Sequence, residues 1–317
     1  MSAKNKTYDV VITWVDDQFD GYSETLRAYA SDGRDTNPNR TRDNLETLRY
    51  CLRSLEQFLP ELGRVFLVTC RPQVPAWLNL DCPRLTVVHH DEIMQAENLP
   101  TFNSFAIVSH LHLINGLSED FLYFEDDALL LREGLIAGMH RGGQQLALFG
   151  AQMTTPLARL DADAASPWNL ALGHADQQLN ARFGAKPRAH AIHGPLLFSR
   201  VRLAEMVAEF ADDYAHTRAS RFRAAGNVPT EYIYPHYLVE TGAAVAATRA
   251  EARKIEGYAS LENLSLWSWA QLKMLDLRRP ITATLNDSFE HNPNPRVERM
   301  VRKWLARRYP RKSGFEV

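Results

Sequence analysis

The sequence predicts an α/β fold in which helices flank a mainly parallel sheet, and three observations carry that expectation. Short apolar, β-branched or aromatic runs recur in the first half, bounded by polar, Gly or Pro residues, as expected of strands buried on both faces. Segments with apolar residues at every third or fourth position lie between them. No repeat or low-complexity linker divides the 317 residues, and 45% apolar with 23% charged side chains supplies a core for one large domain or two closely packed ones.

The first strand is expected in "YDVVITWV" (8–15), and it runs directly into Asp16 and Asp17. In "RDNLETLRYCLRSLEQFLPEL" the residues Leu45, Leu48, Leu52, Leu55 and Leu59 draw one helical stripe, with Asp43 or Asn44 as N-cap and Pro60 as stop signal. "RVFLVT" (64–69) and "RLTVVHH" (84–90) read as the next strands. "NSFAIVSHLHLI" repeats the helical pattern through Ile107, Val108, Leu111 and Ile114, with Asn103 as cap. "DFLYF" (120–124) is the fourth strand, and Glu125, Asp126 and Asp127 follow it. Strands alternating with helices place ligands at the carboxyl ends of the strands. Beyond a Gly- and Ala-rich stretch at about 133–191, helical segments are expected near 200–212, 229–241 and 296–309. The expected organisation is one catalytic unit over 1–317, with a nucleotide-binding α/β half (1–150) and a more helical half (151–317) that closes over it.

Composition narrows the function. The 36 basic and 38 acidic side chains nearly balance, which gives no electrostatic reason to expect nucleic acid as partner. Cys51, Cys70 and Cys82 are odd in number and lack C-x-x-C spacing, so neither a disulfide framework nor a cysteine zinc site is expected. No apolar run reaches the ~18 residues of a membrane span, and the N-terminus lacks the pattern of a signal peptide. A cytoplasmic location is expected, with any membrane contact peripheral.

Adjacent carboxylates at a strand end are costly unless a cation or basic side chains neutralise them, and a divalent metal is the simplest solution. Capping of the next segment, or plain solvation, is the competing explanation of one such pair. Two pairs, Asp16–Asp17 and Asp126–Asp127, each ending a strand, favour a phosphate and metal site.

The segments "DVVITWVD", "RDNLETLRYCLRSLEQFLPELGRVFLVT", "LPTFNSFAIVSHLHLINGLSEDFLYFEDDALL", "AHAIHGPLLFSR" with "SRFR", and "LNDSFEH" together resemble the four conserved blocks of the Stealth family, in the family's order. The resemblance implies a glycosyltransferase-A-like (Rossmann-type) core that moves a hexose-1-phosphate from a UDP-sugar to an oligosaccharide or polysaccharide hydroxyl, with release of UMP. It implies capsule or cell-surface polysaccharide synthesis and a Mg2+ cofactor, with Mn2+ as substitute. A metal-dependent glycosyltransferase releasing UDP, or a non-catalytic nucleotide-sugar sensor, are the alternatives.

On that resemblance, Asp126 and Asp127 correspond to the family's acidic pair and are expected to position metal and pyrophosphate. The family usually has Asn before the pair, and this chain has Glu125. Asp16 falls in the donor-binding block. Arg42 and Asn44 are expected to open the first long helix and meet the donor's phosphates or uridine, while Asn103 is expected to cap a helix and face the sugar. His193 in "HAIHGP" is the expected general base, since an imidazole titrates near neutrality, with His190 as competitor. Arg221, with Arg223 beside it in the donor site, is expected to stabilise charge on the transferring phosphoryl group. Asn286 and Asp287 complete the donor and metal sites. His89, His90, His110 and His112 lack the geometry for zinc.

Near the end, eight Lys/Arg lie between Arg296 and Lys312 against the single acid Glu298, with Val297, Val301, Trp304 and Leu305 as an apolar stripe. Such a helix can lie on an anionic membrane, hold a polyanion, or dock on its own domain with a solvated basic face. The narrow stripe favours docking.

Overall fold

The computed structural model describes residues 6–31, 33 and 36–317. The four expected strands are present as β1 (Tyr8–Thr13), β2 (Leu62–Thr69), β3 (Leu85–His89) and β4 (Asp120–Glu125). Five short strands follow: β5 (Ala128–Leu130), β6 (His140–Arg141), β7 (Gln144–Ala147), β8 (Phe149–Met153) and β9 (Ala189–Ala191). Later come β10 (Leu196–Ser199), β11 (Val245–Ala246), β12 (Tyr258–Glu262) and β13 (Thr282–Ser288). The first helices are α1 (Tyr22–Tyr29), α2 (Thr47–Phe58), α3 (His90–Ile93), α4 (Ser104–Val108), α5 (Leu135–Gly138) and α6 (Pro167–Phe183). The remainder are α7 (Arg200–Glu209), α8 (Ala211–Ala219), α9 (Thr230–Glu240), α10 (Arg249–Ile255), α11 (Ser265–Arg278) and α12 (Pro295–Arg308).

The central sheet runs β10-β4-β1-β2-β3, parallel except for β10, which pairs antiparallel with β4. Alternation along each strand divides its apolar run between two cores. Val10, Ile12, Val65, Leu67, Leu122 and Phe124 face one, where α2 and α12 pack. Val11, Phe66, Val68, Phe121 and Tyr123 face the other, beneath α6, α7 and α9. Full burial of each such side chain contributes about 1.5–3 kcal/mol, and this is why the strands read as unbroken hydrophobic runs.

A second sheet, β12-β13-β5, stands beside the first, with β12 parallel and β5 antiparallel to β13. Only Asp126 and Asp127 separate β4 from β5. The acidic pair is therefore the corner at which the chain passes from one sheet to the other, and the Leu285 amide of β13 donates to the Asp127 carbonyl at 3.1 Å.

Two helix boundaries differ from expectation. The first long helix begins at Thr47, five residues beyond Arg42, because Glu46 takes a left-handed conformation (φ 57°) and the Asp43 carboxylate accepts from the Thr47 amide at 2.9 Å. Glu46 holds the N-cap position, and it is the Asp43 carboxylate, not Asn44, that meets the first helical amide. The second helix stops at Val108 and gives way to a 3-10 turn at Leu111–Leu113. The stretch from 133 holds a 17-residue helix, α6, started by Pro167 and by the Ser166 hydroxyl, which accepts from the Asn169 amide at 3.2 Å.

The basic helix α12 docks on its own domain. Val297, Val301, Trp304 and Leu305 are buried, the Trp304 indole donates to Asp276 of α11 at 3.1 Å, and Arg308 pairs with the same carboxylate. Among the described residues no helix is long and apolar enough to cross a membrane. Docking makes a stability prediction. Trp304→Ala should cost about 3–5 kcal/mol in urea unfolding, whereas Lys303→Ala, on the exposed side of the same helix, should stay within about 0.5 kcal/mol. Equal, small losses for both would mean that α12 is not part of the core.

Candidate active site

At the carboxyl ends of β1 and β4 a cavity of about 760 Å3 opens between the two sheets. The β4–β5 corner sets Glu125, Asp126 and Asp127 on its wall, and His193, ahead of β10, stands opposite. His193 Nε2 lies 3.1 Å from Glu125 Oε2. Both side chains sit deep beneath surrounding protein yet keep about a third of their own surface, 37% and 35%, open to the cavity.

The electrostatics follow from recess and crowding. Burial alone would push His193 down, but the charge and hydrogen bond of Glu125, with Asp127 and Glu256 behind, outweigh it and raise the imidazole to about 9. Glu125 is the complement: burial would raise it, and the His193 charge and hydrogen bond, with the Arg223 charge, hold it below the usual carboxylate range. Asp126 is driven well up by burial and then by the charges of Asp127, Asp43 and Glu125. Asp127 is pushed up to about 7 by burial and Glu125, and Asp287 to about 6 by burial against the pull of Arg42. Glu231 of α9, also on the cavity wall, rises to about 7 through burial. The cavity thus holds more negative charge than its own cations offset, which is the condition for taking up protons or a cation.

Oxygen and nitrogen atoms of Glu125, Asp127 and His193 lie within 4.8 Å of one another, among the described residues the one such cluster of metal-ligating side chains. Asp127 Oδ1 is buried without a hydrogen-bond partner. Asp127 therefore keeps its expected place, but Asp126 and Asp287 stand outside the cluster, and Glu125 and His193 complete it. Asp126 is crowded by Asp43 behind the corner, and Asp287 lies 3.9 Å from Arg42. Glu125, the departure from the family pattern, proves central to the geometry.

Other expected residues are sorted by the fold. Arg42 lines the cavity, but it does not open a helix; Nη1 donates to the Glu290 carbonyl at 2.8 Å and Nη2 to Asn39 at 3.2 Å. Asn286 and Asn44 also reach the wall. Asn44 donates to Glu298, and its own Oδ1 is buried without a partner. Arg223 faces the cavity, with Nη2 2.6 Å from the Ser104 hydroxyl and its guanidinium 4.7 Å from the Phe105 ring. Arg221, expected to be the more important of the two, is instead turned onto Tyr29 at 4.8 Å and donates to the Pro100 carbonyl at 2.9 Å.

Asn103 caps its helix as expected but does not face the cavity. It is fully buried, accepts from the Phe105 amide at 3.2 Å, and donates to the Ser220 carbonyl at 3.0 Å and Asn227 at 2.9 Å. Asp16 is likewise drawn aside: its backbone is held on both sides by Gln73 and its carboxylate accepts from the Gln18 amide at 3.0 Å. Glu231 was not singled out by the sequence, because "PTEYIYPHY" carries no spacing that distinguishes a functional acid. His193, the expected general base, is tied to Glu125. An imidazole that holds its proton up to about 9 donates at neutral pH, so the general-base role requires Glu125 to let go of it. His190, pushed down by burial, lines the same cavity.

Residues 40–140 match Stealth protein CR2, conserved region 2, and residues 192–240 match Stealth protein CR3, conserved region 3. An exopolysaccharide phosphotransferase of Streptomyces coelicolor is 37% identical over 74% of this chain and 39% of its own length. The exopolysaccharide phosphotransferase of Nocardia farcinica is 32% identical over 97% of this chain and 60% of its own. For the exopolysaccharide phosphotransferase CpsY of Mycobacterium tuberculosis the values are 31%, 97% and 58%. The chain spans about half the length of the curated relatives it matches. Among solved structures it is similar to the galactosyltransferase LgtC, crystallised with donor and acceptor sugar analogues (TM-score 0.42, 13% identity, 94% of this chain and 95% of that one). It is also similar to the apo glycosyltransferase GlyE of Streptococcus pneumoniae (TM-score 0.40, 10% identity, 95% and 60%).

The Glu125–His193 pair sets a pH window. His193 is raised above its ordinary 6.5, so its contribution to stability is complete below about 6.5 and is lost as pH rises through about 9. Glu125 is depressed, so its own share is lost on the acid side as it protonates. In the metal-free protein the His193 ring protons should titrate near pH 9 by NMR, and Glu125→Gln should lower that midpoint by more than about one unit. An unmoved midpoint would show that Glu125 does not hold the proton.

Proposed function

Because the chain belongs to the Stealth family, we propose that this cavity moves a hexose-1-phosphate or N-acetylhexosamine-1-phosphate from a UDP-sugar to a saccharide hydroxyl in exopolysaccharide or capsule synthesis. Residues 1–317 would act as one catalytic unit, since both sheets contribute to the cavity wall. The observation that carries the reading is the corner between β4 and β5, where recessed acids meet Arg42, Arg223 and His193 in a space of nucleotide-sugar size. The relatives' shared description, exopolysaccharide phosphotransferase, supports the same chemistry.

The reaction balances as follows. The acceptor oxygen bonds to the sugar-bearing β-phosphorus, the bond from that phosphorus to the bridging oxygen breaks, and UMP leaves with the bridging oxygen. The hydroxyl proton goes to the enzyme, and the anomeric bond stays intact. Such transfer depends on in-line placement and on charge stabilisation of the phosphoryl oxygens. Of the guanidiniums on the cavity wall, Arg42, Arg223 and Arg278, the first two would serve this.

A divalent cation fits the residues present: Glu125 and Asp127 would hold it, and the partnerless Asp127 Oδ1 is the atom left open for it. Two carboxylate ligands suit Mg2+, with Mn2+ as substitute, and leave the His193 nitrogen free of the metal. Bound there, the cation would offset the charge of the donor diphosphate. His193, beside Glu125, is the residue that would accept the hydroxyl proton once that carboxylate no longer held it protonated.

Transfer to an oligosaccharide acceptor should release UMP stoichiometrically, and phosphorus NMR of the product should show a phosphodiester with the donor's anomeric configuration kept. UDP release with a phosphorus-free product would replace this reading with glycosyl transfer. Asp127→Asn should remain folded by circular dichroism while transfer falls by about 10²-fold or more. Of the two arginines, Arg223→Ala should depress turnover by about 10²-fold and Arg221→Ala by only a few-fold. The reverse order would return the phosphoryl contact to Arg221.

A further inference from the structure

Helix α11 turns more apolar surface outward than inward. Ser268, Leu272 and Leu275 are its buried residues. At 100° per residue, Leu266, Ala270, Met274 and Leu277 fall on the opposite side, with Lys273 among them. Leu266 and Leu277 are 72% and 78% exposed, and Met274, Trp267 and Trp269 are also open to solvent, as is Leu264 just before the helix. Among the described residues nothing covers this face. Its margin is basic. Arg278 and Arg279 end the helix, and α12, packed alongside, exposes Arg299, Lys303 and Arg307. The only acid on α11, Asp276, is taken up by Trp304, Arg307 and Arg308.

We propose that α11 seats the protein on an anionic lipid surface, with Leu266, Trp269, Met274 and Leu277 entering the headgroup–acyl boundary and the arginines and lysines meeting lipid phosphate. An outward apolar stripe with Trp, flanked by Lys and Arg, is the pattern of helices that lie in the plane of a membrane interface. Two other occupants fit less well. A saccharide would strip water from aliphatic side chains that offer its hydroxyls no hydrogen bond, and the Trp267 indole is already committed to the Ser260 carbonyl at 3.0 Å. A second copy related by two-fold symmetry would bring the same central lysine and basic margin against themselves. The membrane contact weighed for α12 against docking moves to α11: the apolar stripe of α12 is spent in the core, and its basic outer side borders the open face of α11.

The position has a functional bearing. Tyr258, on the strand just before α11, and Arg278, at its end, both line the active-site cavity. A bilayer under α11 lies at the rim of that cavity.

Co-sedimentation with vesicles of mixed phosphatidylcholine and phosphatidylglycerol tests the proposal. The protein should bind the mixed vesicles, bind pure phosphatidylcholine weakly, and lose binding as salt rises. Its tryptophan emission should shift to the blue on binding. The combined variant Leu266→Ser, Trp269→Ser and Leu277→Ser, all at exposed positions, should lose about tenfold or more in vesicle affinity, and its transfer to a soluble acceptor should stay within about twofold. Undiminished vesicle binding by this variant would overturn the proposal. So would absence of wild-type binding to mixed vesicles, in particular if sedimentation velocity shows a dimer that the same three substitutions dissolve.

Discussion

The crowding of carboxylates at the β4–β5 corner is the constraint on which the rest of this site depends. Strand β4 is buried on both faces and held by β1 on one edge and β10 on the other, so the fold delivers Glu125, Asp126 and Asp127 to a recessed position. Water alone does not stabilise that much charge there. One acid stays ionised against His193 and Arg223, and its neighbours are pushed toward holding protons at neutral pH. A cation beside these acids would relieve the same crowding that now raises Asp126 and Asp127.

The same constraint ranks the cationic groups. Arg223 is aligned by the faces of Phe105 and Trp168 and by the Ser104 hydroxyl. Its charge adds to that of His193 in holding Glu125 below the usual carboxylate range. Arg42 is fixed largely by carbonyl and amide oxygens, with Asp287 at a longer 3.9 Å. Both arrangements suit a residue that must meet a second anion.

How much of this was legible depends on what periodicity encodes. The four parallel strands were visible because burial on both faces leaves an unbroken apolar run, and the acids were visible because they end one. Side-chain direction outside regular elements was not. In "SRFR" nothing in the spacing tells which guanidinium faces the cavity; the loop stacks Phe222 on Phe102 and sends Arg221 to Tyr29. Asn103 was read correctly as a cap, but its donors are taken by carbonyls more than a hundred residues away. Glu125 was noticed as a departure, and its partner His193 lies on a different segment that only the sheet pairing brings near. The open face of α11 escaped notice because apolar residues surround that helix on all sides, so it shows no clear stripe, whereas α12 does.

The loop that carries Arg42 is tied locally, through Thr41 to Asp17 and through Asp43 to Trp14, and also to residues late in the sequence. Glu290 takes Arg42 across a separation of 248 residues, Arg302 donates to the Asn44 carbonyl, and Arg53 just beyond is paired with Glu316 at 2.7 Å. The position of Arg42 on the cavity wall thus leans on residues about 250 positions away in sequence. Loss of the segment from Glu290 to Arg302 would loosen that wall while leaving the pairing of β4 with β1 and β10, and with it the acidic corner, in place.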